Sequence, residues 1–220
     1  MSLKTRAARA RYRKRYAHQR EEMAEFELHD AIFVHIPKTG GVSVSKALFG
    51  TGTIGGHRPA RSYELIYGPR RYAEMFSFGF VREPVDRIHS AFSYLKSGGR
   101  GHRSDLEVAE RLADIPSLET FVNEALGHPH YAHIAHFRPQ SDFLCDQQGR
   151  VMVDFVGRFE RLVTDFDAVA KRLGVDRTLE INLNVGPSTE REVLSDRALR
   201  RLSDYYAKDF ANFNYPAPTY

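Results

Sequence analysis

Two groups of residues in this 220-residue chain have the types and spacing to hold anions. The first is Lys38-Thr39-Gly40-Gly41 with Ser43, directly after the apolar run Ala31–Ile36. Glycines let backbone N–H groups approach an anion, and the first turn of a helix carries unpaired N–H groups and the positive end of its dipole. Lys38 adds a full charge there, and the hydroxyls of Thr39 and Ser43 add donors. The order of residues is not that of a Walker A loop, in which the lysine follows the glycines at the helix start; here Lys38 precedes them. The second group lies in FSFGFVREPVDRIHSAFSYL. Arg82 stands at the C-terminal end of an apolar run, where open α/β sheets bind ligands. Ser90 follows eight residues later on a helical pattern. Arginine binds a dianionic group in bidentate fashion. Two anion sites at two strand ends point to a ligand with phosphate groups at both ends.

Such sites need strands and helices to carry them. Ala31–Ile36 and Phe76–Val81 read as strands buried on both faces, and Val151–Val156 as a third. Helical patterns cover Ser43–Phe49 up to Gly50, parts of Tyr63–Met75 broken at Gly68-Pro69, Val85–Lys96 up to Gly98-Gly99, a segment capped by Ser117, Thr164–Leu173 up to Gly174, and Ser195–Phe210. Thr51–Pro59 is glycine-rich loop. Strands separated by helices argue for a parallel sheet in an α/β layered fold.

Composition sets the outer bounds. Hydrophobic residues make up 42% and charged residues 27%, as in ordinary globular proteins. No apolar run reaches the roughly 18 residues of a membrane helix, and the N-terminus lacks the apolar stretch of a signal peptide. Cys145 is the only cysteine, so no intramolecular disulfide forms, and a cytoplasmic setting fits. The net charge of +4 is uneven: residues 1–20 hold eight Lys/Arg and no acid, and the other 200 carry 24 basic and 28 acidic side chains, a balance of −4. The organisation expected is a basic, partly helical arm over 1–29 and a single domain over 30–220. The arm is a candidate contact for an anionic membrane surface or glycan. No nucleic-acid partner is expected.

IPKTGGVSV and FVREPVDRIHSAFSYL resemble the two nucleotide-binding motifs of sulfotransferases, closest to the heparan sulfate 2-O-sulfotransferase group and its bacterial relatives. Glu83 stands where that group commonly has Asn, and Val42-Ser43 where it commonly has Thr-Ser. HFRPQSDFL, VGRFERLVTDFDAV, LNVGP and LSDRALRRLSDYYAKDFANFNY are similar to family segments in family order, so the resemblance spans residues 31–215. It implies a P-loop-like three-layer fold with a central parallel sheet flanked by helices. It implies 3′-phosphoadenosine 5′-phosphosulfate (PAPS) as sulfuryl donor, 3′,5′-ADP (PAP) as product and no metal. Lys38, Thr39, Gly40, Gly41 and Ser43 then hold the 5′ end, and Arg82 and Ser90 the 3′-phosphate. Lys38 also acts catalytically on the leaving oxygen. His57, in a Gly-His placed between the two motifs as in that group, is the catalytic base. His35 is the alternative base, although a strand histidine more commonly packs in or beside the core. The acceptor implied is a hydroxyl or amine, most readily of a glycan or glycolipid. Two other readings stay open: a nucleotide-dependent kinase on a P-loop framework, and a nucleotide-binding module without catalysis.

Overall fold

The computed structural model describes residues 7, 10, 11, 23–52, 54–179 and 192–220. Most of the basic arm and the LNVGP segment lie outside the described residues. In chain order the elements are α1 (Ala24–Leu28), β1 (Ala31–Val34), α2 (Gly41–Phe49), α3 (Ala60–Tyr67), α4 (Pro69–Glu74), β2 (Phe76–Val81), α5 (Pro84–Lys96), α6 (Arg103–Arg111), α7 (Leu118–Thr120), α8 (Pro129–Ala132), α9 (Ser141–Leu144), β3 (Phe155–Arg158), α10 (Leu162–Leu173), α11 (Asp196–Tyr205) and α12 (Ala207–Asn212). The class is α/β, with a three-stranded parallel sheet in the order β1-β2-β3. Two compact units form, one from Met1–Val81 and Gln140–Asn182, the other from Arg82–Pro139 and Leu183–Tyr220.

The first unit contains the sheet. Ala31 to Val34 are all fully buried, which is why β1 is a continuous apolar run rather than an alternating one. The Phe33 and Phe78 rings stack across β1 and β2 at 5.1 Å. The third strand is displaced from its expected position. Val151 instead forms an isolated antiparallel bridge with Cys145, and β3 begins at Phe155. The cause is Asp154, whose carboxylate accepts from both Ser77 N and Ser77 Oγ at 2.8 Å. Those bonds clamp the starts of β2 and β3 and set the register.

The second unit packs around Phe121, Phe137 and a fully buried arginine, Arg87. Arg87 lies on α5. Its guanidinium donates to the carbonyls of His136 and Arg138 and sits 5.6 Å from the centre of the Tyr206 ring. The Tyr206 hydroxyl donates to Phe137 O at 2.7 Å, and burial raises its pKa well above the ordinary phenol value. This explains a second departure: the final helix, expected unbroken from Ser195 to Phe210, splits into α11 and α12 at Tyr206, whose φ/ψ of −102°/20° is not helical. Helix α6 is a third departure, because RSDLEVAER buries only Asp105 and Val108 and so carries no apolar stripe. Replacing Arg87 by alanine removes two charge-assisted hydrogen bonds and leaves two part-buried carbonyls without donors. We expect a loss of about 3 kcal/mol in urea unfolding. A loss under about 1 kcal/mol would show that Arg87 does not hold the 136–138 segment.

Candidate functional site

The chain leaves the C-terminal end of β1 through His35, Ile36 and Pro37 and turns sharply at Lys38. Lys38 has φ 69°, a left-handed conformation that costs a side-chain-bearing residue roughly 1–2 kcal/mol. Strain of this kind collects at ligand-binding turns. Gly40 is left-handed too, at φ 79°, and a methyl group on it would lie 2.6 Å from Leu162 Cδ2. Helix α2 then starts at Gly41. Its first intrahelical bond runs from Val44 N to Gly40 O, which leaves the N–H groups of Gly41, Val42 and Ser43 as its unpaired first turn.

The hydroxyls of this loop divide in role. Thr39 is fully buried and its Oγ1 donates to Ile36 O at 3.0 Å. A hydroxyl has a single hydrogen, so Thr39 can offer an anion its backbone N–H but not its side chain. Ser43 is half-buried in the first turn of α2, and its hydroxyl has no partner among the described residues. Half-buried Lys38, the left-handed backbone, the orphan N–H groups and the Ser43 hydroxyl together form a candidate anion cradle, with the charge and donors to hold an anion at a helix N-terminus.

His57 is exposed, in the loop between α2 and α3. That loop is pinned: Gly55 O accepts from Arg58 Nη1 and from the Tyr63 hydroxyl. His57 Nδ1 lies 3.1 Å from His35 O. A carbonyl only accepts, so Nδ1 carries the hydrogen and Nε2 of the neutral ring is left as the acceptor. In this tautomer Nε2 is the ring nitrogen able to accept a proton. His35, by contrast, is only 4% exposed and stacks on Phe33 at 5.4 Å. It packs into the core one residue past the end of β1.

The structure therefore brings Lys38, Thr39, Gly40, Gly41, Ser43 and His57 together in the first unit, through His35. Arg82 and Ser90 belong to the second. Arg82 directly follows β2 and is half-buried; Ser90 is half-buried on α5. Glu83, the departure from the family pattern, caps α5: its carboxylate accepts from Asp86 N at 2.6 Å. His89 stands beside Ser90, within electrostatic reach of Glu192 and Arg82. Burial pushes its pKa below the ordinary histidine value; Arg82 lowers it further and Glu192 opposes. Glu192 in turn accepts from Leu118 N and Glu119 N at 2.9 and 3.0 Å, which seats it on the first turn of α7.

Asp154 is not placed to hold a nucleotide-bound metal. It precedes β3, at the N-terminal ends of parallel strands, whereas the Lys38 loop leaves β1 at its C-terminal end. Among the described residues no group of three or more His, Cys, Asp or Glu side chains could share a metal ion, and no helix is long and apolar enough to cross a membrane.

What sequence reading missed is the double contact of His35 with His57 and the buried role of Arg87. The only sequence signals were the place of His35 directly before the first motif and of Arg87 within the second. A family model described as the sulfotransferase family matches residues 56–216. That span takes in His57, Arg82 and Ser90 and begins after the Lys38 loop. No curated protein and no solved structure matches the chain.

Proposed function

The chain belongs to the sulfotransferase family, and from that premise we propose that it transfers a sulfuryl group from 3′-phosphoadenosine 5′-phosphosulfate to a hydroxyl or amine of a glycan or glycolipid acceptor, on a P-loop-like three-layer fold. The observation that carries this reading is the left-handed Lys38 turn feeding the open first turn of α2, with His57 held by the same stem. The cradle fits a phosphosulfate in charge and in donor type. The donor, when bound, supplies the sulfuryl group and leaves as 3′,5′-ADP.

The chain's own residues do the rest. Lys38 and the N–H groups of Thr39, Gly40, Gly41 and Ser43 neutralise charge that builds on the leaving phosphate oxygen as the S–O bridge breaks. His57 Nε2 accepts the proton of the acceptor hydroxyl as its oxygen bonds to sulfur. Arg82 and Ser90 hold the 3′-phosphate. Cationic side chains supply the neutralisation that kinases take from Mg²⁺, and the position of Asp154 speaks against the kinase reading.

Calorimetric titration with 3′,5′-ADP and with 5′-ADP tests the donor assignment. We expect tighter binding of 3′,5′-ADP by the wild type, and a loss of that preference of about 10-fold or more in Arg82→Ala, where a bidentate charged contact is gone. Equal affinity for the two nucleotides would overturn the assignment. Turnover of a labelled donor in the presence of acceptor separates an enzyme from a binding module.

A further inference from the structure

We propose that His35 is a positioning residue that fixes His57 relative to the Lys38 loop, so that filling the loop and placing the base are one event; this rests on the reading of His57 as the base. One residue touches both parts. Its backbone carbonyl accepts from His57 Nδ1 at 3.1 Å, and its ring meets the His57 ring edge-on at 4.6 Å and 67°. The Cδ2–Nε2 edge of the same ring lies against the start of α2. A methyl group on Gly41 would stand 2.1 Å from His35 Cδ2 and 2.3 Å from Nε2.

His35 has no room to move independently of these neighbours. Its ring is stacked within 15° of parallel on Phe33, and Phe33 is stacked on Phe78. The result is a stack of three rings, Phe78, Phe33 and His35, that starts in the sheet and meets the His57 ring edge-on. A close-packed interior transmits a small displacement rather than absorbing it. The N–H groups of the Gly41 turn are those that an anion in the cradle would draw on, so any adjustment of that turn presses on the His35 ring. The ring passes it to His57 through the ring–ring contact. Gly41 is not in a left-handed conformation; a side chain is excluded there by the approach of His35.

The test has two readouts. The first is a double-mutant cycle on the Kd for 3′,5′-ADP. Gly41→Ala should weaken binding about 10-fold in the wild-type background, the usual size of an overpacking cost, and less than about 3-fold with His35→Ala, where the methyl group has space. The second is the ¹⁵N spectrum of the imidazoles. Adding 3′,5′-ADP should shift the His57 nitrogens in the wild type and leave them unmoved in nucleotide-saturated His35→Ala. His35→Phe, which keeps a flat ring against Gly41 and the same backbone carbonyl, should restore most of the His57 shift and of kcat. Additive effects of Gly41→Ala and His35→Ala, or an unaltered His57 response in His35→Ala, would overturn the proposal. If the wild type binds no 3′,5′-ADP, the donor reading fails instead. The same cycle scored by thermal unfolding then decides the His35–Gly41 contact, and the linewidth of His57 in His35→Ala decides whether the His35 ring holds the base.

Discussion

Replacing Lys38 with glycine should lower kcat for sulfuryl transfer about 10²–10³-fold, the usual result of losing one donor to a developing charge, and should stabilise the fold by about 1 kcal/mol. The two effects have one origin. The left-handed turn at φ 69° is costly for lysine and free for glycine. A chain selected for stability alone would place glycine there, as it does two residues later at Gly40. Lysine at this position carries a strain that is explained if its charge is needed in the cradle. Urea unfolding of Lys38→Gly beside steady-state turnover measures both. A variant that is both less stable and fully active would remove Lys38 from the chemistry and leave its conformation without a functional account. Lys38→Ala separates the terms, because it loses the charge and keeps the strain. Its kcat should fall as far, with stability close to wild type.

His57→Ala should lower kcat about 10²–10⁴-fold, the range for losing a general base, while Kd for 3′,5′-ADP stays within about 3-fold of wild type, under 1 kcal/mol. His57 is exposed, so its truncation opens no cavity in the core; losing its hydrogen bond to His35 O should cost about 1 kcal/mol in unfolding. The pH–rate profile gives the sharper distinction. In the wild type the rate falls on the acid side as Nε2 takes up a proton. In the variant that limb should vanish, because no proton acceptor remains to be lost. Retention of the acid limb in His57→Ala would assign it to another group and release His57 from the role of base.

Much of the site was legible because it is local. A lysine, two glycines and a serine between an apolar run and a helical pattern describe a strand–turn–helix in consecutive residues. β2 runs from Phe76 to Val81, as its apolar run and the following Arg-Glu-Pro indicate. Helices α2 and α10 end at Gly50 and Gly174 for the same kind of local reason. Where the reading went astray, long-range partners outweighed local pattern. Val151–Val156 is an apolar run, yet the strand starts four residues later, because Asp154 bonds to Ser77, 77 positions away in the chain. The C-terminal helix has unbroken periodicity, yet it splits where Tyr206 reaches Phe137 O, 69 positions away.

The amino-acid sequence by itself determined the family, the α/β class with its parallel strands, and the strand–turn–helix around Lys38, because each of these follows from residue order and short-range backbone preference. Only the tertiary structure decided which atoms of those residues are available. It buried the Thr39 hydroxyl against Ile36 O, turned Lys38 left-handed, and gave Glu83 to the cap of α5. It also set His35 between Gly41 and His57, which fixes the His57 tautomer. The reason is physical: a proton's place on an imidazole and a hydroxyl's choice of acceptor depend on atoms within about 3 Å, and the residues that supply those atoms are chosen by the fold.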